Sequence, residues 1–423
     1  MNLIATLQHW FDYKAENITI LSTPKKKKII ILSSTFPRWC GDKEPPFVYE
    51  LARRIGERYQ ILVLAPHFPG AFDRETLSDI DIVRFRYSLP CLEKLSYGGG
   101  ILSNIKRYPL MIFQVPLFLL SQWVYLIKLI RDSNPALIHA HWVIPQGIVA
   151  VLACLFFQNP PVILCTIHGG DLFGLRQKFA VFLRKFVYQR AKGLTVVSSA
   201  MKCLVIHEGG LNEYTKIIPM GVDLRRQFYP LQTYRTTNEI LFVGRLVEKK
   251  GLIYLLKAMP KILERFPQTQ LTVIGDGPEL NKCKHLVSHI NIASHVKFIG
   301  AIANEKLPDY YRRSGIVVFP SIIDVKGDQE GFGLVLVEAM GCGCAVVTTN
   351  LKAMQDIVTD GVNGMVVDEK SSDQIADAVN KLLTNSNDIA RLQQCARDSV
   401  LERFDWQIIT EKYCDMIDSL LNQ

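Results

Sequence analysis

Residues 327–347 read GDQEGFGLVLVEAMGCGCAVV, and the rest of the chain is read outward from them. A carboxylate, Glu330, precedes Gly331, Phe332 and Gly333. Apolar side chains then follow at helical spacing (Leu334, Val335, Val337, Ala339, Met340), until Gly341, Cys342 and Gly343 stop the pattern and a short apolar strand begins at Ala345. The periodicity and the glycine stop predict loop, helix, strand. Glycines at 331 and 333 let backbone approach a ligand closely and leave N–H groups open at a helix start. Such a start favours anions, phosphate above all. Glu338 stands eight residues after Glu330. A wholly helical stretch would set the two about 12 Å apart at about 1.5 Å per residue, suited to the two ends of one elongated ligand. A glycosidase pair needs carboxylates roughly 5–9.5 Å apart, so this spacing argues against hydrolysis. The plain alternative is a loop and core helix with two solvated acids.

Upstream, a strand at 239–243 runs into Gly244, Arg245 and Leu246, then Lys249, Lys250, Gly251 and a helix over 252–266. Strand, glycine and two cations before a helix suit a pyrophosphate, since Arg grips two oxygens at once and Lys supplies a point charge. Further strands are predicted at 271–274, 296–299 (ending in Gly300) and 316–320. The first half has the same design. Strand 29–33 leads into a loop with one glycine, Gly41, and a helix over 47–59; strands follow at 60–65, 81–87, 136–140, 161–167, 193–198 and 216–219. Alternating strands and helices predict parallel sheets in an α/β fold of two Rossmann-like doubly wound domains facing a cleft. Ligands in such sheets sit beyond the carboxyl ends of the strands. There, strand 161–167 ends in His168, Gly169, Gly170 and Asp171. His139 and His141, two apart before Trp142, read either as metal ligands or as one packed ring and one serving the cleft. Asp79 and Asp81 spell the D-x-D of metal-dependent transferases. They open an edge strand with no phosphate-binding loop behind it, so they read as structural and no metal site is predicted.

The E-x7-E frame EGFGLVLVEAM resembles the donor-site signature of retaining glycosyltransferases of family 4, which have the GT-B fold. The resemblance implies that Glu330 lies at the transferred sugar and Glu338 holds the ribose, with Gly331, Phe332, Gly333 and Leu334 in the donor loop. GRLVEKKG (244–251) resembles the family's phosphate clamp, with Gly244, Arg245 and Lys250 as members. TIHGGDLF (166–173) resembles the segment whose His, here His168, reaches the sugar. Gly300 falls near the base, and Gly41 stands where the family carries a glycine pair near the donor phosphates or the acceptor. MGVD (220–223) resembles the family hinge. The implied domains are an extension 1–26, an acceptor- and membrane-facing domain 27–221, a nucleotide-sugar domain 222–404 and a helix 405–423 returning to the first domain. The implied reaction is retaining transfer from a nucleotide-diphosphate sugar, a co-substrate, to a hydroxyl of a saccharide or lipid-linked acceptor, with no metal or other cofactor. TFPRWCGDKEPPFVYELARR (35–54) and HAHWVIPQG (139–147) look like bacterial enzymes of surface-polysaccharide assembly. A nucleotide-sugar epimerase on the same fold is one alternative. A non-catalytic scaffold is another, against which Arg245, Lys250 and Glu330 stand together.

With 423 residues, 48% hydrophobic and 21% charged, the chain can fill two or three domains. The net charge of +9 is uneven: residues 1–220 hold 26 Lys+Arg against 15 Asp+Glu, residues 221–423 hold 23 against 25. An anionic partner for the first half follows. With no zinc-finger, homeodomain or aromatic RNA-binding signature, an anionic membrane surface is favoured over nucleic acid. Residues 108–127 carry no charge and match a membrane span in length. Pro109, Pro116 and the strand patterns on both sides point instead to a long helix packed on the sheet and partly exposed at an interface. The lysines at 25–28 and the pair Arg184/Lys185 read as solvated faces or headgroup contacts. The ten cysteines form no framework; Cys154, Cys165, Cys203 and Cys283 read as buried thiols, and Cys342-x-Cys344 has the wrong spacing for zinc. A reducing cytosol and no secretory signal place the chain at the cytoplasmic face of a membrane, peripherally. No feature selects an oligomeric state.

Overall fold

The computed structural model describes residues 26–39, 41–42, 44, 46–231 and 236–422. The expected extension 1–26, Lys26 apart, and Lys25 of the lysine run lie outside them. Eight strands form the first sheet: β1 (Lys28–Leu32), β2 (Gln60–Pro66), β3 (Arg74–Leu77), β4 (Ile80–Phe85), β5 (Leu137–His141), β6 (Val162–Ile167), β7 (Gly193–Val196) and β8 (Thr215–Ile217). Their order is β3-β4-β2-β1-β5-β6-β7-β8, parallel except for the β3–β4 hairpin. The second sheet holds β9 (Thr236–Val243), β10 (Gln270–Ile274), β11 (Val296–Gly300), β12 (Ser314–Phe319), β13 (Ala345–Thr349) and β14 (Met365–Val367). It is wholly parallel, in the order β11-β10-β9-β12-β13-β14. The central strands KIIIL and SGIVVF are continuous apolar runs because helices cover both faces of each sheet.

On one face of the first sheet lie the helices Val115–Ser133, Ile148–Cys154 and Lys178–Tyr188, packed side by side. Phe118 seats the long helix, with its ring 4.9 Å from that of Phe85. The 108–127 segment is therefore a helix on the sheet, as its flanking strands required. The opposite face takes the helix Phe47–Ile55 and, from the far end of the chain, Trp406–Leu421. Asp405 caps that last helix by accepting the Gln407 N–H. Tyr413 Oη donates to the Ile218 carbonyl at 3.1 Å, Tyr59 Oη donates to Asp418 at 2.7 Å, and Ile409 and Ile417 are fully buried. Val222 and Asp405 pair as a parallel bridge, so the outward and returning crossings run together. A Cβ on Gly221 would come within 2.6 Å of the Trp406 ring, whose other neighbour is the Arg54 guanidinium at 4.7 Å from its centroid.

Several expectations change. Arg184 is buried, bonded through Nε and Nη2 to Glu208 and through Nη1 to the carbonyls of Asp171 and Leu175, so it cannot meet lipid. It lies on the inward stripe of its helix with Ala180, Val187 and Tyr188. Lys185 is exposed. Cys203 is exposed, whereas Cys154, Cys165 and Cys283 are buried. After β5 comes an irregular turn, Val143–Gly147, containing a proline that cannot donate to the helical ladder, and the helix proper runs only over Ile148–Cys154. Asp79 and Asp81 sit in the β3–β4 hairpin: Asp79 takes a positive φ of 62°, and Asp81 accepts the Thr76 hydroxyl. The short polar strand β3 was missed, so β4 is not the edge.

Because the last helix completes the first domain's core, Ile417→Ala should cost about 2–5 kcal/mol, the usual range for a fully buried aliphatic truncation. Urea denaturation followed by tryptophan fluorescence reads this as a lowered midpoint.

Candidate active site

In the second sheet the chain leaves β9 toward β10 on one side and later returns to place β12 on the other. The crevice beyond these two strands is the switch point where such sheets bind ligands. Both decisive loops open there, Gly244–Arg245 from β9 and Pro320–Ser321, leading to Glu330, from β12. The loops touch. Gly251 has φ +65°, and a Cβ there would lie 1.8 Å from the Pro320 carbonyl oxygen, so only glycine permits the contact. Beside it the Ile322 N–H donates to the Lys249 carbonyl at 2.9 Å.

This contact brings the predicted cation and carboxylate together. Lys250 Nζ donates to Glu330 in an ion pair, and Lys249 Nζ holds the preceding residues, Asp328 at 3.0 Å and the Gln329 carbonyl at 3.2 Å. Burial opposes a charge on Glu330, but the ammonium groups of Lys250 and Lys249 outweigh it and hold the carboxyl below its usual range. The aliphatic stem of Lys250 lies 3.7 Å from a Cβ built on Gly244. The helix Leu334–Gly341 starts at Gly333, which has φ +107°, and no side chain caps it. Its first-turn N–H groups and positive dipole end are thus free of a capping oxygen. Only the last part of the Glu330–Glu338 interval is helical, so the 12 Å separation expected for eight helical residues does not apply. Phe332 turns its ring into the core against Phe404, centroids 5.3 Å apart, and Leu334 packs on both cores; their backbone, not their side chains, is what a donor could meet. Glu338 is buried and accepts a hydrogen bond from Tyr311 Oη at 3.2 Å. Burial pushes its pKa up to about 7 against the pull of Tyr311, Asn304 and Lys250. Gly300 ends β11, and its carbonyl accepts the Gly275 N–H at 2.9 Å.

The first domain supplies the facing wall. Asp171 closes the turn after β6 by accepting the N–H groups of Val143 (2.6 Å), His168 (3.2 Å) and Gly169 (3.1 Å). His168 Nε2 shares a hydrogen bond with His141 Nδ1 at 2.9 Å, their rings stacked with centroids 5.2 Å apart. His139 is packed behind and bonded to Thr166. Burial and the neighbouring imidazoles push the pKa of His168 down to about 3 and that of His141 well below its ordinary value, so both rings are neutral at physiological pH. The wall meets the donor loop at a pair of glycines: a Cβ on Gly331 would lie 3.2 Å from the His168 carbonyl oxygen and 3.4 Å from Gly169 Cα. His168, Glu330 and Lys250 therefore gather at one place, as the sequence required.

Arg245 reaches elsewhere. Its Nη1 donates to Ser103 Oγ at 2.9 Å, and its guanidinium lies 3.4 Å from a Cβ built on Gly99. Gly41, expected near the donor, is exposed in a turn where Asp42 binds Arg38; what faces Arg245 from the first domain is the segment around Gly99 and Ser103. That segment and Tyr311 were missed, and Lys249 was read only as part of the cationic run. The three successive glycines at 98–100 were the one available signal. The domains are further tied by Asp356, which accepts the Ser199 N–H at 2.6 Å.

Comparison with known proteins gives these residues a family. Residues 46–226 match the family described as Glycosyltransferase Family 4, and residues 225–399 the one described as Glycosyl transferases group 1. A GDP-mannose-dependent alpha-(1-6)-phosphatidylinositol monomannoside mannosyltransferase of Mycolicibacterium smegmatis is 32% identical over 256 residues, 58% of this chain and 67% of that protein. Its Mycobacterium tuberculosis counterpart is 27% identical over 266 residues, 60% of this chain and 69% of that one. Among solved structures, sucrose-phosphate synthase from Thermosynechococcus elongatus superposes with a TM-score of 0.75 at 22% identity, covering 94% of this chain and all of that one. HepE of Anabaena in complex with UDP-glucose gives 0.70 at 19% identity, covering 93% of this chain and all of that one. The chain belongs to the family 4 glycosyltransferases and has the GT-B fold.

The buried Glu338 makes a signed pH prediction. Its folded pKa, about 7, lies above the ordinary 4.5, so the folded state retains a proton that the unfolded chain releases first. Its contribution to stability is full below pH 4.5 and lost as pH rises through about 7. Glu338→Gln keeps the neutral form. Its stability advantage over wild type should open between those two values and level off above, on the order of 3 kcal/mol at 1.36 kcal/mol per unit. Thermal melts of both proteins across this range would show it; a constant difference would remove the assignment.

Proposed function

We propose that this family 4 glycosyltransferase moves a sugar, with retention of anomeric configuration and without a metal, from a nucleotide-diphosphate sugar to a hydroxyl of a lipid-linked saccharide at the cytoplasmic face of a membrane. The product would be a cell-surface polysaccharide or glycolipid. One observation carries the reading: the Lys250–Glu330 ion pair lies at the second sheet's switch point, just before an uncapped helix start, opposite His168.

Charge builds on the departing diphosphate as the glycosidic C–O bond breaks. Lys250, Arg245 and the helix start after Gly333 are the groups that stabilise it. Arg245 exchanges its bond with Ser103 for phosphate oxygens. Glu330, held ionised by two lysines, accepts hydrogen bonds from sugar hydroxyls, and Glu338 accepts them from the ribose. His168 is neutral, so it offers a hydrogen bond to the sugar rather than acid catalysis. With no side chain among the described residues poised as a covalent nucleophile, the acceptor oxygen approaches the face the diphosphate leaves and passes its proton to the departing phosphate oxygen. The lipid-linked acceptor is supported by the mannosyltransferase relatives, whose names specify a phosphatidylinositol mannoside. The donor class is supported by the solved structure that holds UDP-glucose.

Lys250→Ala and Arg245→Ala should each lower kcat by roughly 10²-fold, the scale of losing one electrostatic stabiliser; the melting temperature should be unchanged in Arg245→Ala, whose side chain is exposed, and lowered in Lys250→Ala, which leaves Glu330 without its ion-pair partner. Wild-type turnover in either folded variant would remove the clamp. A thermal-shift screen of nucleotides and nucleotide sugars identifies the donor, because a ligand that binds only the folded state raises its stability. With that donor, transfer should persist in EDTA, and the product's anomeric coupling constant should match the donor's; an inverted product would overturn the retaining assignment.

A further inference from the structure

Among the described residues only Pro109–Ser133 is long and apolar enough to cross a membrane, yet Phe118, Leu126 and Leu129 pin it to the first sheet. The sheet's strands precede and follow it, which leaves one long side for another apolar phase. That side is a stripe at helical spacing: Phe113 (74% exposed), Leu117, Leu120 and Val124. The two neighbouring helices extend it. Leu155 and Phe156 project just past the end of Ile148–Cys154, with the Phe156 ring 5.2 Å from that of Trp123, and Phe179 and Phe182 project from Lys178–Tyr188. Three packed helices on one face of the first domain thus expose large apolar side chains together, more than isolated surface residues require.

The charges around this face select its occupant. The Phe113–Val124 stripe continues directly into Lys128 and Arg131, both exposed, and is preceded by exposed Lys106 and Arg107. Lys178 and Lys185 flank Phe179 and Phe182. Between Glu93 and Glu208 the chain holds twelve Lys and Arg but two acids, Asp132 and Asp171, and Asp171 is buried. A second copy of the chain would set these cations against their own kind. An anionic bilayer accepts both the apolar stripe and the cationic fringe. The segment that opens the face also carries Ser103, the partner of Arg245, so the face begins beside the phosphate clamp.

We propose that these three helices are the surface by which the enzyme lies on an anionic bilayer, the apolar stripe entering the headgroup region and the cations resting on lipid phosphates. This gives the lipid-linked acceptor a surface and rests on that reading of the acceptor. The test is flotation of the full chain with vesicles of phosphatidylcholine alone or mixed with phosphatidylglycerol. Wild type should bind the anionic vesicles and dissociate as salt rises. Phe113→Asp/Leu117→Asp and Lys128→Glu/Arg131→Glu should each lower partitioning by about tenfold or more, with the melting temperature and its nucleotide-induced rise unchanged. Unaltered binding in both double variants, or equal binding to neutral and anionic vesicles, would overturn the proposal. So would a dimer in sedimentation that Phe113→Asp/Leu117→Asp dissolves while wild type ignores vesicles. The acceptor reading fails separately: vesicle binding without transfer to a lipid-linked saccharide sinks that reading and leaves the surface standing, and transfer to a detergent-dispersed lipid-linked saccharide without vesicle binding does the reverse.

Discussion

The contact of Gly251 with the Pro320 carbonyl is the constraint on which the donor site depends. Two loops from neighbouring parallel strands must cross the same crevice, and any side chain at 251 would hold them apart. With the gap closed, the lysines before Gly251 reach the residues after Pro320: Lys249 fastens Asp328 and Gln329, and Lys250 meets Glu330. The electrostatics follow from backbone geometry. A carboxylate that burial alone would neutralise stays ionised because two ammonium groups are delivered to it.

The two walls of the cleft handle charge in opposite ways. On the second domain, Lys249 and Lys250 are paired with Asp328 and Glu330, and Glu330 is held ionised. On the first, His139 and His141 are buried and His168 is half-buried behind them; among the described residues no carboxylate bonds their rings, and burial holds all three below the usual histidine range. Asp171 is spent on three backbone N–H groups and fixes the turn rather than a ring. Charged side chains, Lys249, Lys250 and Glu330, thus line the second-domain side of the cleft, and neutral imidazoles line the first-domain side.

Much of this was legible in the sequence, for a local reason. Glu330, Lys250 and His168 each follow a strand of continuous apolar residues, and glycine and charge just after such a strand mark the carboxyl edge where ligands sit. Arg245's partner was not legible, because Ser103 lies 142 residues away in a segment with no strand to anchor it. Arg184 was misread because helical spacing alone does not tell a charged residue on the solvent side from one turned inward to a distant Glu208. The interval from Glu330 to Glu338 is only partly helical, because the helix begins at Leu334, where Gly333 sets its entry. The exposed apolar stripe was half visible: residues 108–127 announced it, but the contributions of Phe156 and Phe179 depend on which helices lie side by side.

The returning helix Trp406–Leu421 makes the first domain discontinuous in sequence, with the second domain inserted within it. A chain emerging from the ribosome can complete the inserted domain while the outer one still lacks one face of its sheet. Domains fold as units, usually in the order they are made; here the order is reversed, and the domain begun first is the last to close. The exposed apolar face of the first domain therefore belongs, through much of synthesis, to a half that is not yet sealed. Premature termination near the end of the message would release a folded second domain tethered to an open sheet, a form prone to aggregate.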